Sequence, residues 1–320
     1  MKSSPQGSCN YRIASFAGLF REVCFDGSCA DEIYSKLQRY GSRRLRYMGD
    51  SGHDPGYIFR GELDYPVSLL TRIERIVREQ QSQGAYSPTL LKNEERRWFM
   101  DAFERTDSRI RRMKPVNVGD DDAFWWLSAI QHYGGKTRLL DFTRDIEIAL
   151  FFALEQHAAE RDMDLMIYCF PCKDVENGGI CTLGNKSPIA QSEAGVDINR
   201  AIGCMIELPW MAKHQRVEIR SRQRFGWDRA FVGNDRLDRQ KGMFVYPYDY
   251  PKSSPKYGPS WLVQNLCAHT RDRFNMGHWG RDIPPLRIRV ARTWVEKLTN
   301  LNARAGFTHT SIYGENSTLA

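Results

Sequence analysis

The sequence predicts an α+β fold, and three observations carry that reading. Short apolar strands are scattered between amphipathic helices without the regular strand–helix–strand spacing of a doubly wound sheet. Residues Leu165 to Phe170 form a continuous apolar run stopped by Pro171, the pattern of a buried strand. From Gln131 to Leu154 a polar cluster, a short strand ending in Asp141-Phe142-Thr143 and an apolar helix follow directly on one another.

In chain order, Ala30 to Tyr40 reads as an amphipathic helix with Ile33, Leu37 and Tyr40 on one face. A Gly/Asp/Pro-rich turn, Gly49 to Gly56, precedes Tyr57-Ile58-Phe59-Arg60-Gly61, an apolar strand ending in a positive charge. Glu94–Arg105 and Asp121–Tyr133 read as helices, the second opening on acidic residues that suit a helix N-terminus. After the strand at Asp141, residues Ile146, Ala149, Leu150 and Ala153 keep the spacing of one buried helix face. Gly178 to Asn199 is polar and Gly-rich, a surface loop. Gly242 to Tyr246 is a strand ended by Pro247. Leu286-Arg287-Ile288-Arg289-Val290 alternates apolar and basic, a strand with one exposed face, and Thr293 to Ala305 is a helix stopped at Gly306. There is no internal repeat or low-complexity tract. The first 45 residues read as an N-terminal helical extension (1–45) to a main domain spanning 46–320.

A chain of 320 residues with 41% hydrophobic and 27% charged residues can bury a large core, which argues against wholesale disorder. No apolar stretch approaches the length of a membrane span and no leader pattern opens the chain, so a cytoplasmic protein without membrane association is expected. Cys169-Phe170-Pro171-Cys172 with Cys181 nearby invites a zinc or redox reading. No second Cys-x-x-Cys or paired His follows, so no metal is expected and free cysteines at a strand end are the better reading. The net charge of +7 is clustered. Ala212 to Lys241 holds nine Lys/Arg against four Asp/Glu, and Arg96 to Lys114 holds seven against three. Such clusters attract polyanions, nucleic acid first, although a solvated helix face would look the same.

Each candidate site residue has a functional and a plain reading. Arg60 ends a buried strand, and its guanidinium can hold a phosphate by a two-pronged hydrogen bond. Gly61 beside it leaves room for a ligand or for another backbone; alternatively Arg60 pairs with a buried carboxylate such as Asp141. Asp141 and Thr143 are two apart on a strand and share a face, suiting hydrogen bonds to ribose hydroxyls. Equally, Thr143 or Asp145 caps the following helix. Tyr133 could stack on a flat ring and His132 could hydrogen-bond a hydroxyl, or the two form a packing pair. Arg236 and Gln240 stand just ahead of the strand at Gly242. Gln240 can fix a hydroxyl but cannot act as a base, and a charged surface turn is the alternative.

Phe59-Arg60-Gly61, then Gln131-His132-Tyr133-Gly134 leading into Thr137-Arg138-Leu139-Leu140-Asp141-Phe142-Thr143, then Arg236-x-x-x-Gln240-x-Gly242-x-Phe244, resemble the FRG-domain family, named for its Phe-Arg-Gly. The order and approximate separations match from about Tyr57 to Tyr246, and the middle motif is the specific one. Asp141-Phe142-Thr143, with Ala149 and Phe152 on the next helix, is more distantly similar to the Ser-Thr-Ser strand and Ala-x-x-Phe helix of ADP-ribosyltransferases. That similarity implies a mixed split sheet with flanking helices, ADP-ribosyltransferase-like, and NAD as substrate.

In that resemblance Arg60 and Arg138 hold the pyrophosphate. Asp141, Thr143 and Gln240 orient the ribose, and Tyr133 clamps the nicotinamide. The cofactor-binding set is Arg60, Gly61, His132, Tyr133, Arg138, Asp141, Thr143 and Arg236, with Arg60, Thr143 and Gln240 as the catalytic set. The family's glutamate has no assured counterpart; Gln240 stands closest to its place, with Glu207 and Glu218 upstream. Breaking the nicotinamide–ribose bond builds positive charge on the sugar, and positioning and electrostatics lower the barrier without a metal. The resemblance thus implies an ADP-ribosyltransferase, a toxin or antiviral-defence effector for which an antitoxin is an expected partner. Nucleic acid is favoured as acceptor through Arg216, Arg220, Arg222 and Arg224. The rival readings are a non-catalytic nucleic-acid- or nucleotide-binding module, modification of a protein target, and an RNA hydrolase or phosphotransferase using His132.

Overall fold

The computed structural model describes residues 20–25, 29–41, 56–64, 69–80, 89–91, 93–98, 130–131, 135–159, 162–172, 181–182, 217–221, 239–247 and 285–314. The chain divides into two compact units. The first takes residues 1–69, 142–175 and 257–315; the second takes 70–141, 176–256 and 316–320.

In the first unit, β1 (Arg21–Phe25), α1 (Ala30–Gly41), β2 (Gly56–Leu63), the end of β3 (Leu140–Thr143) from Phe142 on, α3 (Ile146–Ala159), β4 (Leu165–Cys172) and β8 (Leu286–Val290) build a helix-covered sheet. A 3₁₀ turn (Arg292–Trp294) leads from β8 into α4 (Val295–Arg304), and α5 (His309–Tyr313) follows. The sheet is mixed, with strand order β1-β8-β4-β2-β3. β1 runs parallel to β8, while β8–β4, β4–β2 and β2–β3 are antiparallel. This is an α+β arrangement, as the scattered strands predict.

The register fixes what each face does. Tyr57, Phe59 and Leu63 of β2, Leu165, Ile167 and Cys169 of β4, and Leu286, Ile288 and Val290 of β8 point to one side. There they form the core with Ala30, Ile33 and Leu37 of α1, Ile146, Ala149, Leu150 and Ala153 of α3, and Leu298 of α4. The expected buried face of α3 is thus the observed one. Tyr34 of α1 donates to Glu147 Oε1 at 2.9 Å and to Asn302 Oδ1 at 3.3 Å, tying three helices together. β1 and α1 belong to this same core through Phe25, Ala30, Ile33 and Leu37.

Two strand expectations change in detail. β4 runs on through Pro171 to Cys172 instead of stopping before the proline. β8 does not present an exposed basic face: Arg287 is buried and its Nη2 lies 2.7 Å from Asp64 Oδ1. Alternation of apolar and basic residues is the pattern of a half-exposed strand, but a carboxylate within reach allows the arginine to be buried instead.

In the second unit, α2 (Arg72–Gln80) starts at a reciprocal cap. Thr71 Oγ1 accepts from the backbone of Glu74, while Glu74 Oε2 accepts from Thr71 N at 2.8 Å. Ile73 and Val77 of α2 pack on Leu91 and Trp98. β5 (Cys181–Thr182), β6 (Val217–Ser221) and β7 (Gly242–Pro247) form an antiparallel ladder in the order β5-β6-β7. No helix among the described residues is long and apolar enough to cross a membrane.

Candidate functional site

Phe59, Arg60 and Gly61 each have a separate structural task. Phe59 is buried in the helix-side core and pairs in register with Thr143 of β3. Gly61 faces the same helix layer: a Cβ there would lie 1.7 Å from the carbonyl oxygen of Ala149 and 2.7 Å from its carbon. The glycine is therefore required by the close approach of the α3 backbone to β2. Of the two reasons the sequence offers for a small residue here, this is the one the geometry supplies.

Arg60 points to the opposite face of the sheet, since side chains alternate along a strand. Its Nε lies 2.7 Å from Oε1 of Glu62, two residues along the same strand. Glu62 is completely buried, and its other oxygen accepts from the backbone N–H of Leu69 at 2.9 Å. Leu69 is itself buried and holds φ at 61°, a left-handed conformation that a leucine adopts at a cost of about 1 kcal/mol or more. Glu62, two residues along the same strand, is thus a carboxylate partner of Arg60. A sequence signal for it existed: a Glu two places after an Arg within an otherwise apolar strand.

The register extends this polar line across the sheet. Arg60 stands opposite Tyr168, Tyr168 opposite Arg287, and Arg287 opposite Glu22. Directly opposed residues share a face, so a rung of two arginines, a tyrosine and a glutamate crosses four strands. Tyr168 is fully buried, with Phe20 edge-on at 5.5 Å between ring centres. Next to the rung, Phe142 of β3 meets Phe170 at 5.6 Å.

The residues of the middle motif are described from Gly135 onward, together with Gln131. Gln131 donates from Nε2 to Asp141 Oδ1 at 2.7 Å and accepts from the Thr137 hydroxyl. Gly135 N–H closes the turn on Ile130 O at 2.8 Å, where a Cβ would meet the Ile130 side chain at 2.3 Å. Arg138 is buried against Glu95: its Nε lies 3.1 and 2.9 Å from the two carboxylate oxygens, Nη2 reaches Oε2, and its backbone N–H donates to Oε1 at 3.0 Å. This guanidinium is engaged in an internal ion pair.

Thr143 is buried, and its Oγ1 accepts from Asp145 N at 3.1 Å. Asp145 Oδ1 in turn accepts from Glu147 N at 2.9 Å. Both therefore take the helix-capping part weighed against the ribose-binding one. Because Thr143 lies opposite Phe59 in the β2–β3 register, it faces the helix layer while Arg60 faces away. The two are brought onto adjacent strands but not onto one face. Beside the cap, Ser35, Gln38, Arg39, Arg144, Asp145 and Glu147 line an open polar cleft of roughly 550 Å³.

Gln240 occupies the turn leading into β7, next to Lys241 with φ 45°, and Phe244 of β7 is buried. Glu218 and Arg220 lie on β6, whose backbone alone is described. His132, Tyr133, Glu207, Arg216, Arg222, Arg224 and Arg236 fall outside the described residues. Cys169 is a free, buried thiol whose proton affinity is pushed well up by desolvation. No group of three or more metal-ligating side chains occurs among the described residues.

The strand that carries Phe-Arg-Gly, the strand that ends in Thr143 and the following helix all fall within one family match. Residues 55–162 match the FRG domain. The FRG match opens one residue before β2 and closes just after α3, so it takes in Arg60, Glu62, Glu95, Arg138 and Thr143 and leaves out Gln240. No curated protein and no solved structure matches the chain significantly.

Proposed function

We propose that this protein is an NAD-dependent ADP-ribosyltransferase that holds the dinucleotide pyrophosphate through Arg60 and uses nucleic acid as acceptor. The observation that carries the reading is the state of Arg60. Paired with Glu62, its side chain still keeps 15% exposure, whereas those of Arg138 and Arg287, paired with Glu95 and Asp64, keep 3% and 5%. A half-buried, oriented guanidinium is well suited to a phosphate, because low local dielectric strengthens charge-assisted hydrogen bonds. In the reaction, the bond between ribose C1′ and the nicotinamide nitrogen breaks and nicotinamide leaves. An acceptor oxygen or nitrogen bonds to C1′ and releases its proton to solvent. The basic composition of residues 212–241 supports a polyanionic acceptor.

A second reading is a nucleotide-binding module without transfer activity. It is favoured by Thr143 and Arg138, both engaged internally. Incubating the protein with NAD labelled in the adenylate and with DNA, RNA and cell protein separates the two. Label transferred to nucleic acid, and abolished in a folded Arg60→Ala variant, is the expected result. Label on protein alone would move the acceptor. Binding of NAD without turnover would select the module, and absence of both would end both readings.

A further inference from the structure

We infer that Glu62 is the positioning residue for the phosphate-holding arginine, an inference that deepens the reading of Arg60 and rests on it. A free arginine on a strand sweeps many rotamers, and a phosphate must then order it at an entropic cost. Here Nε is already engaged by Glu62 Oε1 at 2.7 Å, which fixes the direction in which the guanidinium fork leaves the strand. The carboxylate is in turn immobile. It is fully buried, and Leu69 N–H holds its second oxygen at 2.9 Å. Leu69 holds a left-handed backbone conformation, and strain of this kind persists where surrounding structure over-determines it.

One feature sets this arrangement apart from the structural pair Arg138–Glu95. The acid is wholly enclosed and the base partly open, whereas both members of Arg138–Glu95 are enclosed. The acid's second oxygen accepts from backbone, so the carboxylate does not need Arg60 alone to remain buried. Glu62 touches no reacting atom in this assignment. Its effect on a ligand passes entirely through Arg60.

The test is calorimetric titration of the full chain with inorganic pyrophosphate and, separately, with NAD. It compares wild type, Glu62→Gln, Arg60→Ala and the double variant, with thermal melting to establish that each is folded. Glu62→Gln should weaken both ligands by about tenfold and Arg60→Ala by about a hundredfold, and the double variant should match Arg60→Ala alone. That non-additivity is the signature of a residue acting through another; a merely structural glutamate lowers the melting temperature and leaves affinity in the folded protein unchanged. Should Glu62→Gln fail to fold, Glu62→Asp, which keeps the charge but retracts it, carries the same comparison. Wild-type affinity in a folded Glu62 variant, or losses that simply add, would overturn the inference while leaving the NAD reading intact. Pyrophosphate bound with the expected pattern but NAD not bound would retain Glu62 and remove the dinucleotide. No binding of either ligand would overturn both.

Discussion

Gly61 is the residue whose identity the structure constrains most tightly. A methyl group at this position would sit 1.7 Å from the Ala149 carbonyl oxygen, and the obstacle is helix backbone rather than a side chain that can rotate away. Gly61→Ala therefore forces α3 off the sheet or β2 out of register, and interiors packed like crystals do not absorb such a shift cheaply. The expected loss is about 3 kcal/mol or more, read as a fall in denaturation midpoint or as failure to fold. A normal midpoint would show that the strand–helix contact is looser than this geometry. Tyr34 gives a residue-level prediction with a pH signature. Burial, then the hydrogen bond to Glu147 and then its charge, push the Tyr34 phenol well above its ordinary value of 10.0. The neutral form is thus the one the fold favours. The stability this contributes is fully present below about pH 10 and is lost as pH rises beyond it, because the unfolded phenol then ionises while the folded one holds its proton. Tyr34→Phe should cost about 1 kcal/mol at neutral pH, with the gap to wild type narrowing in melts above about pH 10. A gap that widens with alkali would reverse the assignment.

At the scale of elements, the sequence was legible wherever one periodicity acted alone. α3, β8 and the helix before Gly306 stand where their apolar spacing puts them, because each contributes a simple stripe or alternating face to one core. It was less legible where polar residues are buried. Arg138 and Arg287 read as available cations, yet each is closed on an acid from another element, and no local pattern announces a partner 43 or 223 residues away. β1 and α2 were not anticipated: β1 carries an exposed polar face, and α2 has few apolar positions to mark its buried side. α2 does carry a buried stripe, Ile73 and Val77, but a nine-residue helix gives that spacing little length in which to repeat. The Arg138–Glu95 pair makes this testable. Arg138→Leu leaves a buried carboxylate unpaired and should cost about 3–5 kcal/mol, whereas Arg138→Leu combined with Glu95→Leu should recover most of it, since two apolar residues remove the desolvation penalty together. Denaturant titration of the two singles and the double reads the difference; equal damage in all three would mean that the charges matter less than the space they fill.

At the scale of the whole molecule, the first unit is assembled from three separated stretches of chain. Order of motifs can locate a family segment: it placed one from about Tyr57 to Tyr246, and the family match covers residues 55–162. It cannot say that β1 will seek β8 at the other end of the sequence, because a parallel pairing of that kind is set by the core and not by neighbours in the chain. The site divides in the same way. The arginine was legible from its motif. Its glutamate was visible in the same strand, but burial is what gives it meaning. The separation of Arg60 from Thr143 onto opposite faces depends on a register that only pairing defines.

The position of β8 has a consequence during synthesis. β4 lies between β2 and β8, so one of its edges has no native partner until β8 has been made, roughly 120 residues later. At ribosomal rates of about 5–20 residues per second, that edge stays unpaired for about 6–24 seconds on each nascent chain. The strand exposed is Leu165-Met166-Ile167-Tyr168-Cys169-Phe170, apolar and uncharged, the type of segment that recruits other strands when left open. Slow codons or a stall between β4 and β8 would prolong this interval, so the yield of folded protein in a cell is tied to translation speed and to holdase chaperones at the tunnel exit as much as to the stability of the finished sheet.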